Sequence, residues 1–82
     1  MVMIKPGLPY LDVISSVAQF SQVPVMAYQV SGEYAMLSLG AEQGLFNRTE
    51  ALHESLISFK RAGATGIITY AALEISADLQ GA

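Results

Sequence analysis

Three short apolar runs, residues 1–4, 23–30 and 66–70, set the framework of this 82-residue chain. None alternates apolar with polar. Strands that are apolar on both faces belong to parallel sheets covered by helices. The stretches between and after the runs carry helical spacing. Residues 10–20 place Leu11, Ile14, Val17 and Ala18 on one face, and Pro9 suits a first-turn position. Residues 33–43 read as a second helix, ended by Gly44 at a C′ position. Asn47, with Glu50 three residues later, reads as an N-terminal capping pair. The helix it opens puts Leu52, Leu56 and Phe59 on one face and His53, Glu54, Lys60 and Arg61 mostly on another; Gly63 is its natural stop. A last short helix is expected over residues 72–79.

The order is βαβααβα, an α/β class with a parallel sheet and right-handed crossovers. Three strands with their helices make about three-eighths of a (β/α)₈ barrel, a fold of ~250 residues. Residues 1–4 place Met1 inside the first strand, so a fragment lacking about five upstream strands is expected. Residues 1–82 are read as the C-terminal piece of one barrel domain.

Composition narrows the function classes. Hydrophobic residues make up 52% and charged residues only 13%, against about a quarter charged in an ordinary globular chain. A domain this small hides a limited share of its surface, so association or membership of something larger is expected. The four basic residues, Lys5, Arg48, Lys60 and Arg61, form no stripe, and the net charge is −3, which leaves nucleic acid without an electrostatic footprint. There is no cysteine, hence no disulfide framework or thiolate metal site, and the single His53 cannot hold a metal alone. No apolar stretch approaches membrane-spanning length. The N-terminus carries no basic, cleavable leader pattern, so a cytoplasmic setting is expected.

The chemistry concentrates at the strand ends. The first run ends in Lys5, the second in Tyr28-Gln29-Val30 before Ser31-Gly32, the third in Thr69-Tyr70. In an α/β barrel these ends converge on one mouth, where active sites are built. A strand-end lysine in a cavity is disfavoured as an ammonium, and the free amine can attack a carbonyl to form a Schiff base. The plainer alternative is a lysine that snorkels to solvent. Ser31 can cap its helix or, with the free amides there, hold a carboxylate. Tyr70 is either a second carboxylate ligand or a core aromatic. Glu33 is expected only to complement the helix dipole, Tyr28 and Tyr34 to pack, Met26 and Met36 to fill core, and His53 to lie on the surface.

Met3-Ile4-Lys5-Pro6-Gly7-Leu8-Pro9-Tyr10-Leu11-Asp12, Tyr28-Gln29-Val30-Ser31-Gly32-Glu33-Tyr34-Ala35-Met36, and the stretch from Glu54-Ser55-Leu56 through Phe59-Lys60-Arg61-Ala62-Gly63-Ala64 to Ile68-Thr69-Tyr70 resemble the C-terminal part of the porphobilinogen synthase (δ-aminolevulinic acid dehydratase) family. The resemblance runs over essentially the whole chain. It implies a TIM barrel whose enzymes condense two molecules of 5-aminolevulinate to the pyrrole porphobilinogen, with loss of water, in tetrapyrrole and haem biosynthesis. It makes Lys5 the Schiff-base lysine for the first-bound substrate, Ser31 and Tyr70 the ligands of that substrate's carboxylate, and Tyr28 a wall of the same pocket. It further implies a homo-oligomer. A second lysine, the arginines for the second substrate, and zinc or magnesium would belong to upstream residues, leaving no cofactor site within this segment. The chain departs from the usual pattern at Thr65, where the family often has Asp, and at Ala71, often an aromatic. Two rivals stand beside this reading. A class I aldolase-type lyase also uses a strand-end lysine, but the V-S-G-E-Y-A-M block argues against it. A catalytically inert fragment would keep only packing and oligomer contacts.

Overall fold

The computed structural model describes residues 1–81. Strands β1 (Val2–Ile4), β2 (Val25–Gln29) and β3 (Gly66–Thr69) form one parallel sheet in the order β1-β2-β3. Helix α1 (Leu11–Phe20) follows a 3₁₀ turn at Leu8–Tyr10; α2 (Ser31–Glu42) and α3 (Arg48–Ala62) separate β2 from β3; α4 (Ala72–Gly81) closes the chain. The observed order is the expected βαβααβα. All three strands are shorter than their apolar runs; Met1, Val23, Pro24, Val30 and Tyr70 lie outside the ladder.

The register shows what the apolar runs pack against. Val2 pairs with Val25, and Ile4 with Ala27. Ala27 pairs with Ile67, and Gln29 with Thr69. Side chains alternate across a strand, so these positions share one face. That face meets the helices in a core of Ile14, Val25, Ala27 and Phe59, flanked by Ile4, Leu11, Val17, Leu56 and Ile67. The opposite face carries Met3 paired through Met26 to Gly66, then Tyr28 paired with Ile68. No core cluster forms on that side among the described residues; Met3 and Ile68 are exposed. Met26 therefore fills no helix-packed core. A second small core, Leu52, Ala71 and Ile75, joins α3 to α4, with Tyr34 and Leu37 of α2 against it.

Local chemistry explains the helix limits. The Asn47 side chain accepts a hydrogen bond from the Glu50 amide at 3.0 Å, satisfying a free donor of the first turn of α3. Gly63 ends α3 with φ 116°, a conformation that side chains resist, and a Cβ there would meet that of Ala18 at 2.7 Å. Gly44 lies past the end of α2 as expected. Helix α2 begins at Ser31, two residues before its expected start. Its outer face carries Met36, 68% exposed, so this methionine is not core filler as the sequence led us to expect. No helix among the described residues is long and apolar enough to cross a membrane.

Candidate active site

Because the strands are parallel, Lys5, Ser31 and Tyr70 all follow the carboxyl ends of their strands and lie at one end of the sheet. Lys5 comes directly after β1 and Tyr70 directly after β3. Two residues beyond Met3, Lys5 continues the alternation on the face that the helices leave uncovered; Tyr70, two beyond Ile68, does the same for β3. The Tyr28 and Tyr70 hydroxyls lie 3.2 Å apart across that face. A depression of about 160 Å³ opens there, lined by Tyr28, Ile68, Thr69 and Tyr70. The hydrogen bond to Tyr70 is the main cause that holds the Tyr28 phenol above its ordinary pKa of 10.0.

Of the two readings of Lys5, in a cavity or reaching solvent, the described residues show the second. Lys5 is exposed, as are Ser31 and Tyr70. The reason is the sheet's outline. β1 is an edge strand, and the face Lys5 continues has no second layer over it among the described residues, so nothing there desolvates the amine. Ser31 is not the helix cap: Val30 holds that position, Ser31 is the first helical residue, and no Ser31 side-chain bond closes the helix. Its hydroxyl is thus free for another partner.

Glu33 departs furthest from expectation. It lies in the first turn of α2, where it complements the helix dipole, but it is also buried, 4% exposed, and does more than that. It accepts hydrogen bonds from the Val30 amide at 2.7 Å, the Leu8 amide at 2.7 Å and the Gly7 amide at 3.3 Å. Gly7 also donates to the Tyr28 carbonyl at 2.9 Å. The loop after β1 and the start of α2 are thereby tied together. Only the bond to Val30 is local; Gly7 and Leu8 lie 26 and 25 residues away in sequence.

Two further networks support the site. Under the covered face, Thr69 donates to buried Gln29 at 2.6 Å, Gln29 donates to Ser55 at 2.8 Å, and Ser55 donates to the Leu52 carbonyl at 2.7 Å. This chain holds the ends of β2 and β3 against α3. Around Tyr70, the rings of Tyr28 and Tyr34 stand 6.4 and 6.0 Å away. Arg48 donates to the Tyr34 hydroxyl at 2.7 Å and to both oxygens of Glu74, at 2.8 and 3.1 Å. Tyr34, expected only to pack, is thus a hydrogen-bonded support of Tyr70's surroundings. His53 stands 3.5 Å from Asp78, outside the site. No group of three or more His, Asp or Glu residues is placed to hold a metal ion among the described residues.

Known proteins resemble the chain over most of its length. The family model described as "Delta-aminolevulinic acid dehydratase" matches residues 1–78. The protein of that name from Streptomyces coelicolor is 52% identical over 80 residues, 98% of this chain and 24% of the relative. That from the archaeon Archaeoglobus fulgidus is 49% identical over 96% of this chain and 24% of its own length. A crystal structure of the Toxoplasma gondii enzyme, in complex with its reaction product porphobilinogen, superposes with a TM-score of 0.86 at 51% identity, over 88% of this chain and 20% of that one. The chain thus spans about a fifth to a quarter of the length of the relatives it matches. With residues 1–78 matched by the family model and about half of the aligned positions identical to these relatives, the chain belongs to the delta-aminolevulinic acid dehydratase family.

Proposed function

We propose that this chain forms three consecutive βα units at the C-terminal end of a (β/α)₈ barrel and supplies half of a porphobilinogen synthase active site. The observation that carries the reading is the convergence of Lys5, Ser31 and Tyr70 at the carboxyl end of one parallel sheet, with Lys5 and Tyr70 following its uncovered face. On this reading the remaining strands wall that face and desolvate Lys5.

The substrate is 5-aminolevulinate. The neutral Lys5 Nζ attacks its C4 ketone to give a carbinolamine; the carbinolamine hydroxyl takes up one proton from solvent and leaves as water, and the nitrogen keeps its remaining hydrogen as a protonated imine. The protonated imine draws electrons from the neighbouring carbons and eases bond formation there. Ser31, with its hydroxyl free at the first turn of α2, and Tyr70 hold the carboxylate, so that proximity lowers the barrier. Tyr28 orients the Tyr70 hydroxyl from 3.2 Å. The second lysine and the second-substrate arginines belong to other parts of the complete enzyme. The described residues offer no group of three ligands for the zinc or magnesium that the family resemblance implies. A homo-oligomer is part of the same reading. It is supported by the exposed apolar side chains Met36, Leu39, Leu45, Leu73 and Leu79.

The test is porphobilinogen formation from 5-aminolevulinate by the full-length protein that carries this segment. Lys5→Arg should abolish it, since a guanidinium stays protonated and forms no imine. Retained turnover in Lys5→Arg would remove Lys5 from the mechanism.

A further inference from the structure

The Lys5 loop and the Ser31 helix start are separate in sequence, yet any substrate held by both needs them at a fixed spacing. One side chain spans the two. Glu33 Oε1 accepts from the Leu8 amide, while Oε2 accepts from the Val30 amide and, at longer range, from Gly7. Leu8 is three residues from Lys5, and Val30 is adjacent to Ser31. The carboxylate is buried, and its described partners are backbone donors on both oxygens. Hydrogen bonds to an ionised acceptor are roughly twice as strong as neutral ones. The chemistry is also one-sided: every partner is a donor, so only a group with two acceptor atoms satisfies all three amides.

We propose that Glu33 is a positioning residue that sets the distance between the Lys5 amine and the Ser31 hydroxyl, acting on substrate only through those two. This rests on the reading of Lys5 and Ser31 given above. Glu33→Gln is the informative variant. It has the same shape, but its amide nitrogen must face a backbone donor, so either the 2.7 Å bond to Leu8 or those to Val30 and Gly7 are lost and the tie is weakened. Glu33→Asp retains the charge and is one methylene short of the span.

Two measurements on the full-length protein separate the possibilities. The first is hydrogen exchange of the peptides containing Leu8 and Val30, read by mass spectrometry. Glu33→Gln should speed exchange at one or both of these sites while the Gln29–Ser55 region stays protected. Unchanged exchange at both sites overturns the tie itself. The second is the 5-aminolevulinate concentration needed for half-maximal borohydride trapping on Lys5. Loss of a charge-assisted bond predicts a rise of about tenfold to a hundredfold for Glu33→Gln. Ser31→Ala should also raise it, and the double variant should rise by less than the product of the two, because Glu33 acts through Ser31. An independent loss of fold would give a full product instead, and that result, or an unshifted concentration in a folded Glu33→Gln, overturns the positioning role. If the unsubstituted protein is not trapped on Lys5 at all, the lysine reading fails and the positioning role falls with it, while exchange still decides whether Glu33 ties the loops.

Discussion

The pair Tyr28 and Tyr70 shows how a single contact couples two strand ends. Their hydroxyls share one hydrogen bond, and the effect on Tyr28 is to raise its pKa above 10.0. A raised pKa means that the neutral phenol is the form the fold favours. Its contribution is complete at neutral pH and is lost as the pH climbs through the raised value. Tyr70→Phe should therefore move Tyr28 ionisation down toward 10.0, followed by the ring-carbon chemical shift of Tyr28 across an alkaline titration. An unmoved midpoint would mean that the two hydroxyls do not meet in solution. The strand-end positions of Lys5, Ser31 and Tyr70 were legible in the sequence because each follows or closes an apolar run. Glu33 was not, because two of its three bonds reach across 25 and 26 residues, and only a fold puts those amides beside it. Whether Lys5 is buried or exposed stayed open for a related reason. Burial depends on what covers a face, and a short apolar run says nothing of that.

Elements defined by local chemistry were the most readable. Asn47 and Gly63 bound α3 as their residue types dictate, and both contributions can be measured. Asn47→Ala removes the bond to Glu50 and should cost about 1 kcal/mol, with Asn47→Asp close to neutral. Gly63→Ala forces a Cβ into the left-handed region and against Ala18; a penalty of about 1–3 kcal/mol is expected. Denaturant midpoints of the folded protein check both, and a neutral Gly63→Ala would show that the turn relaxes. Helix α2 was less readable. Tyr34 and Leu37 pack inward while Met36 and Leu39 point outward, so apolar residues surround much of its circumference and blur the 3.6-residue pattern. Its start was misplaced because Ser31 is a favoured cap by type, yet here Val30 takes the cap position and the Glu33 side chain closes onto the Val30 amide instead.

At the largest scale, the helices among the described residues pack on one face of the three-stranded sheet and leave the other bare. β1 and β3 are both edges, with unpaired backbone groups that invite further strands. Low charge adds to the tendency to associate. The 82-residue chain on its own should sediment as a mixture of associated species and show no porphobilinogen formation; a sharp monomer boundary would contradict the role assigned to the bare face. The parallel sheet was foreseen from the lack of alternation in the three runs. The register that brings Tyr28 and Tyr70 together was not, since it depends on pairing between strands about 40 residues apart.

Peptide mapping of the full-length protein after borohydride reduction in the presence of 5-aminolevulinate tests the central assignment most directly. Lys60, exposed in the last turn of α3, serves as the internal control. The expected result is a reduced substrate adduct on Lys5, absent from Lys60 and absent from Lys5→Arg. An adduct on Lys60, or an active enzyme with none on Lys5, would contradict it.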